Sequence, residues 1–288
     1  MERSIVNDKL YGSLVLSDLE DSKIDLTNKC VINFCSGAGH SSSLMAQKVG
    51  KNGVVMGIDV CENMINGAKK AYKDQNNLSF YKCSLNEFEA SMPYLKFNVA
   101  TLFNSFDLLE NKLEACRKIY NCLKLGGDFL VNVGPGEEPL DIQVSREMIQ
   151  SVPLMGSLLC SYGLENVFQA SYSTQQEYKN ILKLAGFEII SFTKKQRCLT
   201  FDSKEDFATI KRPIAQNRPI VKSIPQWIFN YAFNAFIDQF LTKLHKNEQG
   251  QLVYVFNEIL IHARKSDQLS IEFLKEFAGS DCYALSLK

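Results

Sequence analysis

Two glycines and one acid are the residues of this sequence best placed to do chemistry. Gly37 and Gly39 lie in a run of small residues, Cys35, Ser36, Gly37, Ala38, Gly39, and Asp59 follows about 20 residues later. Glycine permits a tight turn and lets a backbone approach a ligand closely, and an acid at the tip of the next strand can bind ribose hydroxyls. Such a set is suited to holding a nucleotide-like molecule. The elements that must position it are legible in VINFCSGAGHSSSLMAQKVGKNGVVMGID, Val31 to Asp59. An apolar run leads into the small-residue loop, a helical segment follows, and a second apolar run ends at the acid.

From there the chain alternates. Strands are expected at Cys30 to Phe34, Val54 to Ile58, Leu78 to Cys83, Val99 to Phe103 and Phe129 to Val133, with helical spacing between them. Asn63, Met64, Ile65, Ala68 and Ala71 share one helical face, and Gly126 with Gly127 is expected to stop a helix over Leu113 to Leu123. Helices are then expected through 141 to 168 and from Thr174 to Ala185, ended by Gly186. A sixth strand follows at Phe187 to Phe192 and a seventh at Val253 to His262. The fold class is α/β: a doubly wound, seven-stranded, mostly parallel sheet with a helical insert between its last two strands.

That insert spans 195 to 250. In it Phe229, Phe233, Phe236, Ile237, Phe240, Leu241 and Leu244 form an amphipathic stripe. Its plain reading is a helix packed on the domain; its functional reading is a wall of an apolar substrate pocket or a partner surface, with Trp227 as a candidate substrate contact. Residues 1 to 28 read as a helical lead-in with a break near Gly12, and Tyr11 there is either edge packing or a lid over a ligand. The domain proper is 29 to 265, and 266 to 288 is a tail without assignment.

Composition narrows the partners. Lysine plus arginine equals aspartate plus glutamate, 32 each, so no basic field exists to hold nucleic acid. No stretch reads as a signal peptide or a membrane span. The nine cysteines are scattered without a CxxC pair, which indicates neither a disulfide framework nor a zinc site, and points to a reducing, cytoplasmic compartment.

Taken together, VINFCSGAGHSSSLMA, GIDVCENMI, RKIYNCLKLGGDFLV and a final strand followed by HARK resemble the class I S-adenosylmethionine-dependent methyltransferases. YSTQQEYKNILKLAGFEIISFTKKQRCLTFDSKEDF resembles, in outline, the small-molecule carboxylate methyltransferases of the trans-aconitate and juvenile hormone acid type. The resemblance implies a Rossmann-like methyltransferase fold, S-adenosylmethionine as cofactor and a small-molecule acceptor. Gly37, Ala38 and Gly39 are then expected at the methionine portion, Asp59 at the ribose, Val60 and Met64 at the adenine with Ser84 and Leu85 flanking it, and Asn104 and Ser105 towards the sulfonium. Two positions depart from the family pattern: Asn33 stands where an acid is usual and Cys35 where the first glycine is usual. Loss of the carboxylate weakens an expected contact to the methionine ammonium, although an asparagine carbonyl still accepts one hydrogen bond. A nicotinamide enzyme is the nearest competitor, but Ser42 occupies the third glycine of its G-x-G-x-x-G frame.

Methyl transfer from a sulfonium is a direct displacement, so alignment matters most, and a carboxylate acceptor needs no general base. His40, at a helix start, is a local contact or a participant; His245 reads as solvated and His262 as structural. A carboxylate would need a cation, and Lys194, Lys195, Arg197, Lys211, Arg212 and Arg218 lie in or beside the insert. Arg197 is the foremost candidate because it borders the sixth strand. Three functions stay open: a small-molecule methyltransferase, a degenerate fold serving as a binding protein, and a protein methyltransferase.

Overall fold

The computed structural model describes residues 12, 14–92, 94–134, 140–151, 157, 161–162, 173–216, 221 and 223–266. Its elements are a helix α1 over 14–22, then β1 (Cys30–Phe34), α2 (His40–Val49), β2 (Val54–Asp59), α3 (Glu62–Ala71), β3 (Leu78–Lys82), α4 (Leu85–Ser91), β4 (Phe97–Leu102), a 3-10 turn (Phe106–Leu108), α5 (Lys112–Cys122) and β5 (Leu123–Val133). After these come α6 (Leu140–Ser151), α7 (Gln175–Leu184), β6 (Phe187–Phe201), α8 (Lys204–Gln216), α9 (Gln226–Leu241), β7 (His245–Lys246) and β8 (Leu252–Lys265). The strand order is β3-β2-β1-β4-β5-β8-β6, with the two-residue β7 paired to β8. β1 to β5 pair in parallel. The expected doubly wound seven-strand path is therefore present, with β7 added.

The chain divides into two compact units: 11–133, 175–193 and 260–288 form one, and 1–10, 134–174 and 194–259 the other. In the first, the sheet is filled from both faces by apolar side chains. Val15 and Leu19 of α1 join Met45, Ala46 and Val49 of α2 over Val31, Val55, Val99 and Leu130 of the strands, all buried. The lead-in helix is thus part of this core. Burying a side chain of that size contributes roughly 1.5 to 3 kcal/mol, and several act together here. Across β2, Phe80 fills the space left by two glycines: a Cβ at Gly39 would lie 2.5 Å, and one at Gly57 2.7 Å, from its ring.

In the second unit, α9 packs on α6 and α8. Phe229, Phe233, Phe236, Ile237 and Phe240 are all buried, so the stripe is a packing face, as in its plain reading. Gln239 of α9 and Lys243, just beyond its end, both reach Glu147 of α6.

Two boundaries differ from expectation. Helix α5 ends at Cys122 and β5 begins at once, Leu123 being already extended. Gly126 and Gly127 do not stop the helix. They serve an excursion of the strand: between the pairs Phe97↔Leu123 and Val99↔Asp128, β4 advances two residues while β5 advances five. Gly126 takes φ +70°, and a Cβ on Gly127 would meet the Lys124 carbonyl at 2.7 Å. The second difference is β6, which continues to Phe201 instead of ending at Phe192. Arg197, Leu199 and Phe201 alternate inward there, so the insert begins after residue 201.

Candidate active site

In a sheet wound this way, ligands bind beyond the carboxyl ends of the strands where the strand order reverses, here between β1 and β4. The register brings Phe34 level with Ile58 and Leu102, and Asp59 level with Lys82. The loop after β1 and the tips of β2, β3 and β4 therefore form one edge.

The loop after β1 turns by repeated left-handed backbone: Cys35, Gly37 and Gly39 have φ +53°, +56° and +90°. Asp59 braces it. Its Oδ2 accepts the Gly37 N–H at 2.9 Å and its Oδ1 the Cys61 N–H at 2.8 Å. The Ser36 N–H bonds the Ile58 carbonyl and the Gly39 N–H the Ser36 carbonyl. Helix α2 then starts behind Gly39 with no side chain capping its first turn. Backbone N–H groups at a helix start of this kind suit an anionic group.

Asn33 takes a different part from the one expected. It is 2 % exposed, its Nδ2 donates to Ser42 Oγ and its Oδ1 accepts from Thr101 Oγ1, each at 2.9 Å. The amide thus ties β1, β4 and α2 together, using one donor and one acceptor where a carboxylate offers acceptors only. Cys35 is also turned inward: burial, with the nearby Asp59 charge adding to it against a Ser105 hydrogen bond, pushes its thiol up to about 12. It remains a neutral thiol and no nucleophile.

Around the β2 tip, Val60 is 65 % exposed and Met64 half-buried. Ser84 spends its hydroxyl on the Glu87 N–H as the cap of α4, and Leu85 is buried behind it. At the β4 tip, Asn104 is exposed with φ +55°. Its N–H donates to Asn132 Oδ1 at 2.6 Å and its Oδ1 accepts from Asn132 Nδ2 at 3.0 Å. Ser105 follows, half-buried. His40 sets its Nδ1 3.2 Å from the hydroxyl of Tyr72, the residue that closes α3, and a Cβ on Gly12 would lie 2.0 Å from its ring.

The remaining substrate candidates belong to the second unit or lie outside the described residues. Tyr11 and Arg218 lie outside the described residues. Arg197 is 7 % exposed in the second unit, its Nε 2.6 Å from Glu258, so its guanidinium is neither at a strand border nor a free clamp. Lys211 is likewise buried, 2.8 Å from Asp141 and set over the rings of Phe240 and Tyr254. Trp227 stands 66 % exposed on α9. His262 is structural, as read, bonding Asp128 at 2.8 Å beside Arg264. Among the described residues no group of acids, cysteines and histidines could hold a metal ion, and no helix is long and apolar enough to cross a membrane.

Residues 25–186 match the family model described as a methyltransferase domain. The chain belongs to that family. A demethylmenaquinone methyltransferase of Lactococcus lactis is 30 % identical over 180 residues, 59 % of this chain and 70 % of its own length. The ubiquinone/menaquinone biosynthesis C-methyltransferase UbiE of Proteus mirabilis is 23 % identical over 175 residues, 58 % of this chain and 69 % of its own. YcgJ of Bacillus subtilis shares the fold, with a TM-score of 0.53 at 15 % identity, covering 88 % of this chain and 98 % of that one. The protein is an S-adenosylmethionine-dependent methyltransferase of class I.

Sequence reasoning missed Ser42, Thr101 and Asn132. Each is an ordinary small polar residue in its own segment; the parallel register of β1, β4 and β5 brings Thr101 and Asn132 to their partners, and α2 lays Ser42 against Asn33 of β1.

Proposed function

We propose that this methyltransferase binds S-adenosylmethionine across the tips of β1 to β4 and methylates a small molecule. The observation that carries the reading is the Asp59 carboxylate, oriented by one backbone N–H on each oxygen. Each oxygen keeps a further lone-pair site for a ribose hydroxyl. Gly37, Ala38 and Gly39, with the uncapped start of α2, would hold the methionine portion, its carboxylate towards the helix start. Val60 and Met64 would cover the adenine, with Leu85 beside it and Ser84 acting through its backbone, since its hydroxyl caps α4. Asn104 and Ser105 would face the acceptor. The loop, the acid and the apolar surface thus fit the three parts of that molecule.

When bound, S-adenosylmethionine supplies an electrophilic methyl group. The chain itself then has to orient the acceptor and exclude water, and alignment of this kind can lower a barrier by up to about 7 to 11 kcal/mol. For the acceptor, a carboxylate would need an available cation, and Arg197 and Lys211 are both held in buried ion pairs. The relatives named for quinone biosynthesis support the electron-rich ring of a quinol instead.

Incubation with methyl-labelled S-adenosylmethionine and either a 1,4-naphthoquinol or a panel of small carboxylates tests this. Label in the naphthoquinol supports it. Label in a base-labile ester redirects the acceptor to a carboxylate, and label in protein bands overturns the small-molecule reading.

A further inference from the structure

The segment after β4 is fastened at two points by residues far away in the chain. Asn104 adopts left-handed backbone, at φ +55°, a region that asparagine enters more readily than other side-chain-bearing residues. The reciprocal amide pair with Asn132 holds it there, with Asn132 itself 3 % exposed on β5. Three residues on, Asp107 Oδ1 accepts the Tyr178 hydroxyl at 2.5 Å. Tyr178, on α7, is 0 % exposed and packs its ring 6.0 Å from that of Phe106. Residues 104 to 107 therefore hang between β5 and α7.

From this we infer that Asn132 and Tyr178 are positioning residues for methyl transfer. They fix the backbone and side chains at the β4 tip in the one arrangement that faces the transferred group. The inference rests on the proposed location of the methyl donor. Neither residue is required to touch a ligand: each acts through the segment it holds. Because β1 and β2 carry the groups proposed for the ribose and methionine portions, loosening the β4 tip should leave those contacts standing. It should change the interaction only with whatever occupies the methyl position.

Two donor analogues separate these effects. S-adenosylhomocysteine has nothing at the methyl position, whereas sinefungin carries a protonated amine there. Titration calorimetry of both ligands into the full chain, the Tyr178→Phe variant and the Asn132→Ala variant reads the ratio of their dissociation constants. Tyr178→Phe removes one hydroxyl and keeps the ring packing, so it guards against a misfolded Asn132→Ala. The expected result is S-adenosylhomocysteine binding within about twofold of the parent in Tyr178→Phe, with sinefungin weakened about five- to tenfold, the size of one lost hydrogen bond. Equal weakening of both ligands, or no change in either, overturns the positioning role. A parent protein that binds neither ligand refutes the site assignment, which is a distinct outcome.

Discussion

Replacing Asp59 separates what the acid does for the fold from what it does for the ligand. The carboxylate receives two backbone N–H groups, from Gly37 at 2.9 Å and from Cys61 at 2.8 Å. Asparagine keeps one carbonyl acceptor but turns its NH2 towards the second N–H, leaving two donors facing each other. In a fully buried site that would cost about 1 to 3 kcal/mol. Asp59 is half-buried, so water relieves part of the loss and about 1 to 2 kcal/mol is expected. Thermal melting of Asp59→Asn should fall by about 2 to 6 °C. The ribose contact adds a second loss, seen only with ligand: Asp59→Ala should weaken S-adenosylhomocysteine by about 1 to 3 kcal/mol, roughly 5- to 150-fold. Calorimetric titration with melting curves on the parent and both variants measures the two quantities. An Asp59→Ala protein that melts like the parent and binds within twofold of it would refute both parts of the reasoning.

Other substitutions probe the scaffold. Arg197→Met removes the guanidinium from the Glu258 carboxylate, which is 7 % exposed, and should cost about 3 to 5 kcal/mol in denaturant unfolding; Arg197→Met with Glu258→Leu should recover most of it. Gly39→Ala places a Cβ 2.5 Å from the Phe80 ring at φ +90°, so it should lower the melting temperature and abolish S-adenosylhomocysteine binding; a variant that binds normally would show that the loop yields easily. Asp128 supplies a pH test. Burial raises its pKa, but hydrogen bonds and charge from His262 and Arg264 outweigh that and hold it below the usual carboxylate range. A pKa lower in the folded state means stability present above about pH 4 and lost as pH falls through the folded value. The stability gap between parent and Asp128→Asn should therefore be widest near neutrality and close in acid, and a gap independent of pH would exclude this linkage.

Much of the first unit could be read from the sequence because its signals are local. The small-residue loop between apolar runs, with an acid closing the second run, places β1, α2, β2 and Asp59 within one short window. What failed depended on partners distant in the chain. Asn33 was legible as a departure from a pattern, yet its role is set by Thr101, 68 residues away, and Ser42. From sequence Gly126 reads as a helix end, because a helix stop and a strand excursion both call for positive φ at glycine, and only the β4 register separates them. The strand β6 runs beyond the end its sequence suggests, because Lys194, Lys195 and Arg197 look solvated in sequence. Glu258 makes an inward arginine possible, and nothing near residue 197 announces it. The insert stripe could be read either way, since a core face and a pocket wall share one periodicity.

The central claim is that the glycine loop, Asp59 and the β4 tip together hold the methyl donor, and a crystal structure of the full chain with S-adenosylhomocysteine tests it most directly. The account predicts ribose hydroxyls on the Asp59 carboxylate, the homocysteine portion along Gly37 to Gly39, and the sulfur towards Asn104 and Ser105. A ligand bound elsewhere, or one that leaves Asp59 without a ribose contact, would contradict it.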